Sequence, residues 1–415
     1  MTATPHPPPP VLLTTGPLRE AATELVGPRL GGLPPPGALV AVAAQGTVAY
    51  AAVGHSRVHP PGSRTATPAT TTPNATEAEP MQWATRTDAG SVTKVLGTTA
   101  ALMTLTDLGH LNLDDPAHRY VPGPDPDIRL RDLLEHRAGL REWWPLYLDG
   151  SGGTDAVTRA ARIPRRYPIG AGRHYSDLGF ILLGGVLARI GGGLEHTVAE
   201  LVLRPYGLTG TAYRAPVPGG PVAASSTGDR VERAMVATGT PYPVPAEVAA
   251  AADAFPGWRD HVLVGEVNDG NAFHAFGGAA GHAGMFTTAA DLLRFAGALD
   301  DSLRGRGPIR PVTAEAFATP GADPGQALGL RVWHGPWGRA LGHTGFPGVA
   351  VAALPDRGAA VAMITNRLHA VGGGAGGAGG ESGGAETPPA SLGDLRPTEE
   401  MWLRVLAAAA DHLNT

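Results

Sequence analysis

The chain has no cysteine. Disulfides, thiolate catalysis and cysteine-ligated zinc are therefore excluded. No apolar run reaches the roughly 18 residues that a membrane-crossing helix needs, so no membrane span is expected. Charged residues are sparse at 17%, the net charge is −5 and no basic run occurs. Nothing here suits nucleic acid or an anionic membrane surface. No secretory leader is visible and none is expected. Met1–Pro10 is proline-rich, and Val11-Leu12-Leu13 is far shorter than a signal core; the expected location is the cytoplasm. The fifteen histidines show no His-Glu-x-x-His or comparable spacing, so neither a metal nor another cofactor is expected.

What is abundant is glycine (59) and proline (40) in a chain of 415 residues that is 43% hydrophobic. Length and apolar content suffice for one large globular domain. The excess glycine and proline falls in particular places. Residues 1–16 read as disordered, 60–80 as a flexible insertion, and 371–390 as a mobile Gly/Ala-rich stretch. Pro36–Ala43 and Thr47–Val53 read as a hairpin turning at Gln45-Gly46. A helix is expected from about Ser91 to Gly109, with Val92, Val95, Leu96, Leu102 and Met103 on one face. Further helices are expected at Leu178–Ile190, ended by Gly191-Gly192-Gly193, and at Thr197–Leu203. Another starts at Thr288, where Thr288-Ala289-Ala290-Asp291 resembles a capping box. Pro216–Gly257 reads as irregular. Short strands are expected at Leu328–Trp333, Val349–Leu354 and Ala359–Ile364, the last two joined by the turn Pro355–Gly358, with a closing helix at Pro397–Leu413.

Chemistry concentrates at Ser91-Val92-Thr93-Lys94. A serine at the start of a helix sits beside free backbone N–H groups and the positive helix end. A lysine three residues on shares its face. A hydroxyl is a weak nucleophile until a neighbour takes its proton, and an adjacent lysine is one means. Two further elements follow in order: Tyr175-Ser176-Asp177, before an apolar run, and His343-Thr344-Gly345, before a strand-like run.

This series resembles the serine β-lactamase and penicillin-binding-protein superfamily, in the branch holding class C β-lactamases, D-alanyl-D-alanine carboxypeptidases and related esterases. That branch reads Ser-x-x-Lys, Tyr-x-Asn, then Lys-or-His-Thr-Gly. Gly109–Pro116, Leu133–Leu140, Gly281–Leu292 and Thr365–His369 also follow its pattern, so the resemblance runs from about residue 20 to 370. It implies an α+β fold in which an antiparallel sheet flanked by helices joins a mainly helical lobe. Residues 17–415 then form one catalytic domain, with the sheet lobe at about 17–110 and 286–415 and the helical lobe at about 111–285.

The resemblance implies Ser91 as nucleophile, Lys94 tuning it, and Tyr175 as proton shuttle. His343, Thr344 and Gly345 would contact substrate, and the backbone N–H groups of Ser91 and Phe346 would form the oxyanion hole. Two positions depart from the common pattern. Asp177 replaces asparagine; an ionised carboxylate accepts but cannot donate, which disfavours acyl-amide carbonyls and favours a charged Lys94. His343 stands where many relatives carry lysine, which weakens the grip on substrate carboxylates at neutral pH. Trp143, Trp144 and Tyr147 are read either as a pocket wall or as core, Asp114 and Asp115 as turn residues, and His282 as structural. The function expected is a serine hydrolase that forms an acyl-enzyme on small carboxylic esters or amides. A D-alanyl-D-alanine carboxypeptidase or β-lactamase is the alternative, and a non-catalytic ligand-binding relative the third reading. A Ser-His-Asp hydrolase is disfavoured, since Ser91 lacks the Gly-x-Ser-x-Gly setting. The partner is a small acyl substrate; oligomeric state is not legible.

Overall fold

The computed structural model describes residues 11–59, 78–149, 154–214, 220–370 and 392–415. The stretch 371–390 and most of 60–80 lie outside the described residues.

Continuous apolar runs, buried on both faces, build the middle of the central sheet. Strands β1 (Val11–Leu13), β2 (Gly37–Ala44), β3 (Thr47–Arg57), β4 (Arg331–Gly335), β5 (Gly338–Gly345), β6 (Val349–Leu354) and β7 (Ala359–Thr365) run in the order β1-β3-β2-β7-β6-β5-β4. The expected hairpin β2–β3 forms, with Gln45 and Gly46 at φ 50° and 73°, which a two-residue turn of this hand requires. Antiparallel pairing of β2 with β7 sets Leu39 opposite Ile364, so strands from the two ends of the chain become neighbours.

Because successive side chains face opposite sides, the sheet carries two cores. Val40, Val42 and Met363 pack under helix α1 (Pro17–Val26) and the closing helix at Thr398–Leu413, around the fully buried Trp402. Leu39, Val351 and Ile364 face the other way. They meet α2 (Ala100–Asp107), α3 (Asp177–Gly191) and the rest of the larger core. Arg396 is fully buried. Its guanidinium donates to the carbonyls of Leu25, Gly27, Leu30 and Gly31, tying the two chain ends together.

Several expectations need correcting. Val11–Leu13 is not disordered but a short edge strand parallel to β3. Its side chains stay exposed, so only backbone pairing holds it and hydropathy gives no signal. Pro216–Gly257 contains two helices, α4 (Arg230–Thr238) and α5 (Ala246–Asp253). Both are short and bury few residues, which erases the apolar period. The strand expected at Leu328 starts only at Arg331, because Gly329 turns the chain at φ 73°. Strand β5 was legible only as a strand edge at Thr344-Gly345, since Gly338, Gly342 and Gly345 break the pattern. At Thr288 the hydroxyl caps helix α6 (Ala289–Leu303) by accepting from Asp291 N. The Asp291 carboxylate does not complete the box; it accepts from Gly210 N and Thr211 instead. No single helix among the described residues is long and apolar enough to cross a membrane.

Candidate active site

Ser91 is set by the turn before it. The Asp88 carboxylate accepts from Gly90 N at 2.8 Å and from Asn268 N at 2.7 Å, while Ala89 N donates to Met285 O. Gly90 takes φ 49°, and a Cβ there would lie 2.4 Å from Pro347 Cδ. Only glycine fits that position. A single 3₁₀ turn (Gly90–Val92) leads into a π-helical turn (Lys94–Thr99) and then α2. Ser91 and Lys94 meet as the spacing predicts: Lys94 Nζ donates to Ser91 Oγ at 2.7 Å.

Lys94 is fully buried rather than solvated. Its Nζ also lies 2.7 Å from Asp177 Oδ1 and donates to the His282 carbonyl at 3.4 Å. Burial alone would pull the lysine down, but Asp177 and Tyr175 beside it hold it above its ordinary value. It is an ammonium. Lys94 Nζ lies 5.0 Å from the centre of the Tyr175 ring, and Tyr175 lines the same cavity as Ser91. Burial, with Asp177 close by, pushes its phenol above the ordinary range despite Lys94, so at rest it is a neutral hydroxyl.

The turn carrying Tyr175 and Asp177 is held by its neighbours. Ser176, not Asp177, caps α3, accepting from Gly179 N. Ser176 N donates to His136 Nδ1 at 3.0 Å, and the His136 ring lies 4.6 Å from that of Tyr175. The Asp177 side chain is thereby left to turn toward Lys94.

Strand β5 closes the opposite side. His343 is buried and donates through Nδ1 to the Thr344 carbonyl at 2.6 Å, which leaves Nε2 as a lone-pair acceptor. Burial and the Lys94 charge hold its imidazole well below the ordinary value, so it is neutral. A Cβ on Gly345 would lie 3.5 Å from Ser91 N, and one on Gly90 3.3 Å from Phe346 N. The two backbone N–H groups thus sit on adjoining chain segments. Arg367 holds the Phe346 peptide, donating to its carbonyl at 2.9 Å.

These residues line one cavity of about 320 Å³. The structure brings Ser91, Tyr175, Asp177, His343, Thr344, Gly345 and Phe346 to its wall, with Lys94 buried behind. Of the aromatic trio, Trp143 lines the cavity and stacks on Tyr242 at 6.4 Å. Tyr147 is buried and donates to Glu232 at 2.8 Å. Asp114 pairs with Arg131 and Asp115 with Arg119, away from the cavity. His282 lies behind the wall, bonded to Asp269 at 2.9 Å.

Five charged lining residues escaped the sequence reading: Asp88, Glu232, Asp269, Arg173 and Arg331. Burial, with Asp269 and Asp229 nearby, pushes Glu232 up to about 8. Burial works the same way on Asp269, but His282 outweighs it and the carboxyl falls to about 2. Desolvation likewise lifts Asp88 to about 6. Glu232 sits in the stretch read as irregular, so nothing marked it. Arg173 was visible as part of a polar turn before Tyr175, without a reason to single it out.

The class that this fold and cavity define is a serine hydrolase with a β-lactamase-like architecture. Residues 26–379 match the beta-lactamase family, and the chain belongs to it. It is similar to the N-acetylmuramyl-L-alanine amidase of Bacillus subtilis strain 168, 28% identical over 327 residues, 70% of either chain. A protein of Escherichia coli strain K12, named provisionally a D-alanyl-D-alanine carboxypeptidase, is 28% identical over 321 residues, covering 68% of this chain and 69% of that one. Among solved structures, the D-amino acid amidase from Ochrobactrum anthropi SV3 shares the fold at a TM-score of 0.62 and 18% identity, over 95% of this chain and 98% of that one.

Proposed function

We propose that Ser91 attacks the carbonyl of a small carboxylic ester or amide and carries the acyl group until water releases it. The observation that carries this reading is the 2.7 Å contact between Lys94 Nζ and Ser91 Oγ at the wall of a cavity. The N–H groups of Ser91 and Phe346 are assigned to the oxyanion; fixed donors of that kind contribute about 3 kcal/mol each to the transition state. Tyr175, a neutral phenol at rest beside both Ser91 and Lys94, is assigned delivery of a proton to the leaving group. Trp143 and Tyr242 offer an apolar wall for the acyl part.

The test is hydrolysis of short-chain p-nitrophenyl esters by wild type and Ser91→Ala, with chelator present. Chelator-insensitive turnover by wild type, lost in a variant of unchanged thermal stability, is expected. Turnover retained by Ser91→Ala would overturn the assignment.

One observation favours a second reading, a carboxypeptidase. His343 is neutral, but Arg173 and Arg331 line the same cavity. Arg173 has Gln326 as a hydrogen-bond partner at 2.9 Å, and Arg331 reaches Glu399 at 3.3 Å. Such guanidiniums suit a carboxylate on the leaving group. A preference for p-nitrophenyl esters bearing a ring carboxylate over the uncharged ester supports that reading. A ratio near one favours the simple esterase.

A further inference from the structure

We infer that Asp177 is the final acceptor of the Ser91 proton, reached through Lys94; this rests on the reading of Ser91 as nucleophile. Lys94 is the donor in its bond to Ser91. An ammonium has three protons and no lone pair. It cannot take the serine proton unless it first, or simultaneously, gives one up.

The groups around it leave one receiver. Asp177 Oδ1 lies 2.7 Å from Nζ, and the His282 carbonyl at 3.4 Å is not a base. Tyr175 is a neutral phenol whose proton must leave before its oxygen can serve. From β5, His343 keeps a free Nε2 lone pair, but its ring is not among the groups bonded to Lys94 Nζ, which are Ser91, Asp177 and the His282 carbonyl. His136, packed on Tyr175, spends its lone pair on Ser176 N. Asp269, on the far wall, is already bonded to His282 and to Ala272 N, and Tyr242 beside Asp177 is another neutral phenol.

The step balances as follows. The Ser91 O–H bond breaks as Oγ bonds to the acyl carbon, and that proton goes to Nζ. One Nζ–H bond breaks, and its proton ends on Asp177 Oδ1. The nitrogen remains an ammonium throughout, and the negative charge passes from Asp177 to the oxyanion. Asp177 touches no reacting atom in this scheme; it acts through Lys94. The sequence reading gave it a different part, as a substrate contact that disfavours β-lactams.

The experiment follows kcat/KM for p-nitrophenyl acetate from acid to alkaline pH, and in mixtures of light and heavy water, for wild type, Asp177→Asn and Ser91→Ala. Wild type is expected to give a curved proton inventory, with two protons in flight. Asp177→Asn should fall about 100-fold at neutral pH and recover as pH rises. The buried amine, freed of its counter-ion, can then lose a proton and act as base itself, and the inventory becomes linear. A wild-type inventory that is linear, or an Asp177→Asn profile parallel to wild type, overturns the relay while leaving Ser91 in place. Equal turnover by Ser91→Ala and wild type overturns the nucleophile and the relay together. The wild-type inventory decides even where the variant folds poorly.

Discussion

The two sides of the cavity hold charge in opposite ways. On one side Lys94 and Asp177 are a cation and an anion 2.7 Å apart, the carboxylate helping to hold the buried lysine charged. On the other, Asp88, Glu232 and Asp269 are three carboxyl groups of like sign. There the strain is relieved by backbone N–H donors, by His282, and by keeping a proton on Glu232, which is held up to about 8. Pairing stores a charge that can be moved during a reaction. Protonation removes the charge and makes the wall sensitive to pH.

The largest effect should come from breaking the pair. Lys94→Met leaves the half-buried Asp177 carboxylate without its counter-ion, which costs about 1–3 kcal/mol and should lower kcat/KM by at least about 1000-fold. Chemical denaturation is expected to show that adding Asp177→Asn to Lys94→Met restores part of the stability, because the two sites are coupled. Additive losses would mean that the pair does not act as a unit.

Gly90 joins the two sides, since Asp88 precedes it and Ser91 follows. Gly90→Ala meets both a φ of 49° and Pro347 Cδ at 2.4 Å. A loss of about 1–3 kcal/mol in stability and a fall in kcat exceeding any change in KM are expected. Full activity with an unchanged melting temperature would show that the turn relaxes without moving Ser91.

The smallest effect lies in the acidic wall. Unfolded, Glu232 ionises in the ordinary carboxylate range near 4.3; folded, it holds its proton up to about 8. Stability from this group is therefore intact at acid pH and is lost as pH rises through that window. Glu232→Gln cannot ionise, so its melting temperature relative to wild type should rise by about 2 °C on going from mildly acid to pH about 8. A gap independent of pH would show that Glu232 is ionised throughout.

Legibility followed locality. Ser91 and Lys94 lie one turn apart, so their meeting could be read from spacing. Tyr175 and the His343 strand were found because each sits at a turn with a short signature. Glu232, Asp269, Arg173 and Arg331 carry no such mark. They become neighbours only when α4, the 268–270 loop and β4 pack around the same space, and no periodicity encodes that. The pairing of Lys94 with Asp177 was expected. That Ser176 and His136 free Asp177 for it was not, because one capping serine looks like any other. Likewise β5, interrupted by three glycines that let backbones approach, hides its strand character for the reason that suits it to a site.

The pairing of β2 with β7 also bears on how the molecule is made. Residues 37–44 are synthesised early, and their partners at 359–365 come more than 300 residues later. Until then, the β2–β3 hairpin offers an open apolar edge, and Ser91 has no β5 to face. Contacts of such separation slow folding and leave unpaired edges exposed to aggregation meanwhile. The nascent polypeptide therefore carries Ser91 through most of translation without the strand that faces it, and the candidate site is complete only with the last strands.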